Sequence, residues 1–596
     1  MSNSAYASAA HLRPGSLRPL TLGQLAQVDA VHWHESTSEA SASHTLVTGV
    51  SVDSSDIASG ELFVALPGAR VHGAQFASQV AKAGACAILT DERGAMMVRE
   101  AGLSLPLLVC DDPRALVGTI SAIVYDFPSR SLITTAVTGT NGKTTTAYFL
   151  EAMLSAHVGA CMVAGTVELR VADESVPSPR TTVEAPVLQR LLALSREKNV
   201  GAASLEASSH AICLGRLTGT HIDVAGFTNL QRDHLDFHHT MEEYLQAKSQ
   251  LFTPEFTRRG VVCVDDQWGA QLALDIRSRG EIDVITLRAY EPEESCQEQE
   301  LARNESMAMA QAMTDSAIPP AGAFAGVSMA SAVAAVQNGV PETQAPLSAD
   351  PAGGAAPFPA DWYVTDARVS LDTSATTFTL HGPDGVLIEA SCPLPGLVNV
   401  QNAALALVMA IAVGVEPKVA AHALANAHNI PGRMQRITQR DGIRGLTIVD
   451  FAHTPDALDL ALKAVRPITP GKLIVVFGSD GDRDQGKRPM LGQVAAELAD
   501  VLVVTDENPR SEDPATIRQA ILEGIRSVRP DMHDVEEITT WRGDAVRRGV
   551  ELCGPDDTVI VTGKGHEPFL EIADEFIAYN DAPVMAEATT KKWGNA

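Results

Sequence analysis

The chain has 596 residues and a formal net charge of −28. That length allows roughly three to five domains, each able to bury its own core, and the acidic balance argues against nucleic acid or an anionic membrane as the main partner, since both reward a basic face. The start, Met1 to Leu20, has no basic segment followed by an apolar core, and the most apolar run, Ala403 to Val415, is too short to cross a bilayer, so a soluble, cytoplasmic protein is expected. Eight cysteines are scattered without CxxC spacing, which predicts reduced thiols, neither a disulfide frame nor a zinc site.

In chain order, short apolar runs at Glu61 to Leu66, Ala85 to Thr90 and Leu105 to Cys110, with a helical stretch at Ala74 to Ala83, predict a small α/β domain. A second unit opens near Arg114. Its strands are predicted at Leu132 to Val137, Gly201 to Leu205, Ile222 to Phe227 and Gly260 to Val264, alternating with helices, which implies a mostly parallel sheet covered on both faces. From Tyr290 to Pro359 the composition turns acidic and Gln-rich, then rich in Ala, Pro, Gly, Ser and Met, and a disordered insertion is expected. Tyr363 to Leu371 and Thr376 to Leu380 pattern as a hairpin meeting the turn His381 to Gly385. A last α/β unit follows from Gly432, with strands at Leu446 to Asp450, Leu473 to Gly478, Val501 to Asp506 and Thr558 to Thr562, each ending in polar residues where open α/β sheets bind ligands.

The strand ending at Val137 runs into Thr138-Gly139-Thr140-Asn141-Gly142-Lys143-Thr144-Thr145 and then a helical stretch to His157. Glycines let backbone N–H groups turn toward an anion, Lys143 supplies charge for the outer phosphates of ATP, and Thr144 offers a hydroxyl to the accompanying magnesium. Val137 stands where the common nucleotide loop has a further glycine, so this is a shortened GxxGK(S/T) variant. Glu206, before Ser208-Ser209-His210, and His234, in Thr228 to Asp236, follow two strand ends and are expected to face one crevice, where oxygen ligands with one histidine suit magnesium. Helix capping is the plainer reading of Asp233 and Asp236, and Lys248, taken alone, is an ordinary helix lysine. Four carboxyl-terminal loops carry His453, Arg483, the run Glu507-Asn508-Pro509-Arg510, and Gly563 with Glu567. Arginines at a sheet edge suit a carboxylate and Glu567 suits an ammonium.

Together "TGTNGKTT", "EASSH", "TNLQRDHLDFH", "YLQAK", "PGRM", "DFAHTPDAL" and "GDRDQGKRP" resemble, in order, the motifs of the Mur ligases, ATP-dependent amide-forming enzymes of peptidoglycan precursor synthesis, and most closely the member adding the third stem-peptide residue. The resemblance implies a three-domain α/β architecture. A small amino-terminal domain (1–113) would bind the UDP substrate, a central P-loop ATPase with a mostly parallel sheet (114–431, insertion 290–359) would bind ATP, and a Rossmann-like domain (432–596) would hold the incoming amino acid. It implies that Gly139, Thr140, Asn141, Gly142, Lys143, Thr144, Thr145 and His453 bind ATP. Val52, Ser54, Ala69, Arg70, Val71, Thr181, Thr182, Ser208 and Arg216 would contact the UDP-muramoyl dipeptide. Arg483, Glu507, Asn508, Pro509, Arg510, Gly563 and Glu567 would form the amino-acid pocket.

By the same resemblance Lys248 is carbamylated by carbon dioxide and joins Thr144, Glu206 and His234 around Mg2+, with Lys143 also catalytic. The implied reaction passes through an acyl phosphate on the D-glutamyl γ-carboxylate, which an amine then attacks, with domain closure gating turnover. The implied amine is meso-diaminopimelate, with L-lysine the alternative, on a monomer acting on small molecules without nucleic acid or membrane insertion. Arg180, Leu214, Cys263, Gln435 and Glu507 depart from the family pattern. A folate polyglutamylating ligase and a nucleotide-switched binding protein remain open at this point.

Overall fold

Strands form where β-branched residues cluster, and the helices between them start at caps the sequence supplies. The computed structural model describes residues 9–18, 20–68, 70–289, 344–346, 359–370, 374–573 and 575–594. The expected 290–359 insertion lies outside the described residues except at 344–346 and 359, and so do Ala69 and Cys296. The chain divides into two compact units: Met1–Leu287 with Ala360–Trp362 and Asn402–Ala427, and Arg288–Pro359 with Tyr363–Gln401 and His428–Ala596.

The first unit holds two sheets. The amino-terminal sheet runs His32–Trp33, Leu107–Val109, Ala87–Thr90, Leu62–Val64, Val50–Ser51, and all but its first pairing are parallel. Its three central strands are buried throughout, as parallel strands covered on both faces must be. The central sheet runs Glu174–Pro177, Glu168–Val171, Cys161–Ala164, Ala202–Glu206, Ile133–Thr138, Val224–Phe227, Arg259–Cys263, Asp283–Arg288, with an antiparallel edge on an otherwise parallel core. Its register sets Glu206 beside Val137 and Phe227 beside Thr138, so three loops leave one edge side by side.

A buried charge network ties this unit together. Arg190, on helix Ala185–Glu197, places Nη1 2.9 Å from Asp56 Oδ2, while Arg13 donates to Asp56 Oδ1 at 2.9 Å and to Glu61 Oε1 at 3.0 Å. Glu197, at the end of the same helix, accepts from the backbone N–H groups of Gly15 and Ser16.

In the second unit, Trp362–Ser370, Thr376–His381 and Leu387–Cys392 form an antiparallel meander. The turn at Gly382 to Gly385 therefore joins the expected hairpin to a third strand that the sequence pattern did not disclose. The carboxyl-terminal sheet runs Gln435–Thr438, Leu446–Val449, Thr558–Val561, Leu473–Phe477, Val501–Val504, Val535–Glu537, parallel except for the first pairing. Val449, Val561 and Val476 lie in line, and Phe477 lies beside Val504, so the loops after these four strands also share an edge. The apolar run from Ala403 lies in helix Leu397–Ala412, and among the described residues no helix is long and apolar enough to cross a membrane. The described cysteines are all free thiols.

Candidate active site

Helix Lys143–Val158 starts immediately after Gly142, whose φ is 89°, so the phosphate loop is confined to Gly139 through Gly142. Both glycines are required. Gly139 sits at φ 141°, where a Cβ would lie 1.9 Å from Thr228 Oγ1, and a Cβ on Gly142 would lie 2.1 Å from Asn402 Oδ1. The neighbouring loop braces this one: Asn229 O accepts from Thr140 N at 2.9 Å, Asn229 Oδ1 from Asn141 N at 3.1 Å, and Gln231 Oε1 from Asn141 Nδ2 at 2.6 Å. Lys143 Nζ donates to the carbonyls of Gly139 (3.0 Å) and Thr140 (2.7 Å). Thr144 and Thr145 are buried in the first helical turn.

Lys248 is not an ordinary surface lysine. It is 1% exposed on helix Met241–Ser249, donates to the same Gly139 carbonyl at 2.8 Å, and lies 4.4 Å from the Tyr244 ring centroid. Burial first, then the charge of Lys143, push its pKa well below the usual lysine value. Carbamylation requires the neutral amine, which burial and the Lys143 charge favour at Lys248, so the donor chemistry fits that group.

Glu206 is 1% exposed and fully engaged: Oε1 accepts from Thr166 N (2.7 Å), and Oε2 from Thr144 Oγ1 (3.0 Å) and Thr166 Oγ1 (2.9 Å). Thr166 carried no spacing signal in the sequence and was missed. All these donors are oxygens or face oxygens, a set suited to Mg2+. His234 is exposed at φ 53°, with Nε2 3.3 Å from Asp233 Oδ2 and its ring centroid 4.9 Å from that of His210. Among the described residues no group of three His, Cys, Asp or Glu side chains is placed to hold a metal ion. The crevice pairs Glu206 with Thr144.

The expected dipeptide contacts adjoin this cluster. Thr182 Oγ1 donates to Glu206 O (2.7 Å) and accepts from Ser208 N (3.0 Å), while Thr181 Oγ1 lies 3.2 Å from Thr166 Oγ1. Arg216, Arg180 and Arg114 converge on Glu184, at 3.1, 3.0 and 2.9 Å. Val52 and Ser54 follow strand Val50–Ser51, and the exposed Arg70 and Val71 follow Leu62–Val64, so both stretches leave the same edge of the amino-terminal sheet.

In the second unit, Arg510 (φ 53°) donates to Glu571 Oε2 (3.0 Å) and Gly481 O (3.2 Å), with Asp480 Oδ2 at 3.5 Å. Pro509, just before it, is buried. Asn508 bridges Asp480 and Glu567 through Nδ2, at 3.0 and 3.1 Å. Glu507 is buried with Oε2 unpartnered, and a Cβ on Gly563 would stand 2.5 Å from that oxygen. Burial and the nearby Asp480 raise its pKa to about 8. Arg483 is exposed. His453 Nδ1 donates to Phe451 O (2.8 Å), and Lys487 Nζ donates to His453 O (3.2 Å). Buried Arg488 grips Glu512 through both Nη atoms (2.9 and 2.8 Å), holding the loop at Asp480, a role the sequence did not signal.

A phosphate loop joined to a buried carboxylate and a buried lysine, on an α/β scaffold, defines an ATP-dependent ligase. Residues 46–110 match the model "Mur ligase family, catalytic domain", 137–336 "Mur ligase middle domain" and 432–565 "Mur ligase, glutamate ligase domain". The chain is 38% identical over 549 residues (92% of this chain, 93% of the relative) to UDP-N-acetylmuramoyl-L-alanyl-D-glutamate--2,6-diaminopimelate ligase of Streptomyces coelicolor. It is also 38% identical over 541 residues (90% of each) to the UDP-N-acetylmuramyl-tripeptide synthetase of Leifsonia xyli subsp. xyli. A solved structure of a UDP-N-acetylmuramoyl-L-alanyl-D-glutamate--2,6-diaminopimelate ligase superposes with TM-score 0.61 at 27% identity, covering 96% of this chain and 99% of that one. The chain belongs to the Mur ligase family, and it is an ATP-dependent, amide-forming ligase.

Proposed function

We propose that the chain joins meso-diaminopimelate to the D-glutamyl γ-carboxylate of UDP-N-acetylmuramoyl-L-alanyl-D-glutamate, as a cytoplasmic monomer with three functional domains, 1–113, 114–431 and 432–596. Relatives named for that activity at 37–38% identity support it. The observation that carries the reaction type is Lys248, buried against the carbonyl of the phosphate loop. Hydrolysis of ATP alone gives no reason for a second lysine there.

A free carboxylate is a poor acyl donor. Its oxygen attacks the γ-phosphorus of ATP, ADP leaves, and an acyl phosphate results; the amine then attacks the acyl carbon, loses a proton, and phosphate departs. Lys143 exchanges its bonds to Gly139 O and Thr140 O for phosphate oxygens and counters the charge that spreads over them. Thr144, Glu206, His234 and carbamylated Lys248 would hold Mg2+, which would supply Lewis-acid polarisation of the transferring group. Thr181, Thr182, Ser208 and Arg216 orient the dipeptide; Val52, Ser54, Ala69, Arg70 and Val71 hold its uridine nucleotide. Arg510 meets the distal carboxylate of diaminopimelate and Glu567 its ammonium, whereas lysine has no carboxylate to offer Arg510.

Phosphate release by the purified protein, measured with the UDP-muramoyl dipeptide and diaminopimelate, lysine or ornithine, tests this. Release with diaminopimelate alone is expected. Release with lysine alone would reassign the amine, and no release with any would end the ligase reading.

A further inference from the structure

Lys564 has no part in the chemistry above, yet it is fully buried, at 0% exposure. An ammonium out of water is stable only with partners that repay its desolvation. Its partners are Asn508 Oδ1 at 2.8 Å and Glu567 Oε2 at 2.6 Å. The Asn508 amide is in turn saturated: Oδ1 also accepts from Glu571 N (3.1 Å), and Nδ2 donates to Asp480 Oδ1 (3.0 Å) and Glu567 Oε2 (3.1 Å). The oxygen faces only donors and the nitrogen only acceptors, so the amide has a single orientation, and Lys564 is one of the groups that sets it. At Glu567 both bonds fall on Oε2, and Oε1 makes no hydrogen bond among the described residues.

We propose that Lys564 is a positioning residue for the amino-acid pocket, holding Asn508 and Glu567 so that Glu567 Oε1 is presented to the ammonium of the incoming diamino acid. The proposal rests on the reading of that pocket given above. Lys564 touches no substrate and acts through Glu567 and Asn508. Without it Glu567 Oε2 keeps a single neutral donor, the Asn508 amide loses one of the contacts that orients it, and the carboxylate is free to turn away from the ligand.

The test compares KM for the amine, KM for ATP and kcat in Lys564→Met, Lys564→Gln, Glu567→Gln and the Lys564→Met/Glu567→Gln double variant, with thermal midpoints alongside. Lys564→Met is expected to raise KM for the diamino acid roughly 10- to 100-fold while leaving KM for ATP within about twofold. Lys564→Gln, which retains a donor, falls between it and the wild type. In the double variant the loss equals that of Glu567→Gln alone, because Lys564 works through that carboxylate. Additive losses, an equal rise in KM for ATP, or failure of both Lys564 variants to fold would make Lys564 a structural residue and overturn the proposal. Those outcomes leave the wild-type ligase activity intact. Absence of wild-type phosphate release would instead remove the pocket reading and this proposal with it.

Discussion

An ammonium kept from water, with Lys143 bonded to the same carbonyl, gives up its proton readily, and only a neutral amine attacks carbon dioxide. Turnover of the wild type is therefore expected to fall in buffer stripped of bicarbonate and to recover when bicarbonate returns. Lys248→Ala should lose most activity and regain none with bicarbonate alone; near-normal turnover would remove the carbamate from the mechanism. Glu507 titrates in the opposite sense. Its folded pKa of about 8 lies above the ordinary carboxylate value, so the folded chain keeps a proton that the unfolded chain sheds. Stability from this group is therefore greatest in acid and declines as pH rises from the ordinary value to about 8. Thermal midpoints of Glu507→Gln should show a flatter fall than wild type between these limits, and parallel curves would refute the buried-acid reading. Neither behaviour was legible in the sequence. Lys248 sits in a helix of ordinary composition, and only its resemblance to a known motif marked it out. Glu507 was visible as a departure from the family pattern, but burial, which decides its proton, depends on the loops packed around it.

At the scale of elements, the sequence marked the strand ends well, because apolar runs ending in polar residues mark the carboxyl ends of parallel strands, and register then aligns those ends. It located bracing poorly. Thr228, Asn229 and Gln231 were visible as part of a motif, but their bonds to the phosphate loop come from strand adjacency. Thr166 follows a turn at Gly165 with nothing to distinguish it. The strand Leu387–Cys392 escaped because Leu387, 64% exposed, is as apolar as buried Ile388, which blurs the period of two. The phosphate loop yields a sharp expectation of its own. Gly139→Ala brings a Cβ to 1.9 Å of Thr228 Oγ1 at a φ of 141°, so the two bracing loops must part. Nucleotide affinity measured by calorimetry should fall about tenfold or more, with circular dichroism preserved, since the cost of a strained conformation is roughly 1–3 kcal/mol. Unchanged affinity would mean the loop opens before it binds.

For the whole molecule, length allowed roughly three to five domains, and contacts resolve the chain into two compact units. In the first of these, Arg190, Asp56, Arg13 and Glu61 join residues far apart in sequence through buried charges. Breaking a buried pair strands the remaining ion at a cost of about 3–5 kcal/mol, whereas replacing both members with apolar groups is far milder. Arg190→Met should accordingly lower the thermal midpoint clearly, and Asp56→Leu added to it should recover part of the loss; a double variant worse than the single would contradict the pairing. Arg13 carries a practical corollary about where this polypeptide can be trimmed or fused. The family model begins to match at residue 46, and a designer following it would discard everything earlier as leader. Doing so would delete the guanidinium that neutralises Asp56 and Glu61, together with the two amides gripping Glu197. The segment from Arg13 to Ser16 is thus an integral staple of the unit, and shortening or tagging the protein there calls for keeping those four residues unobstructed.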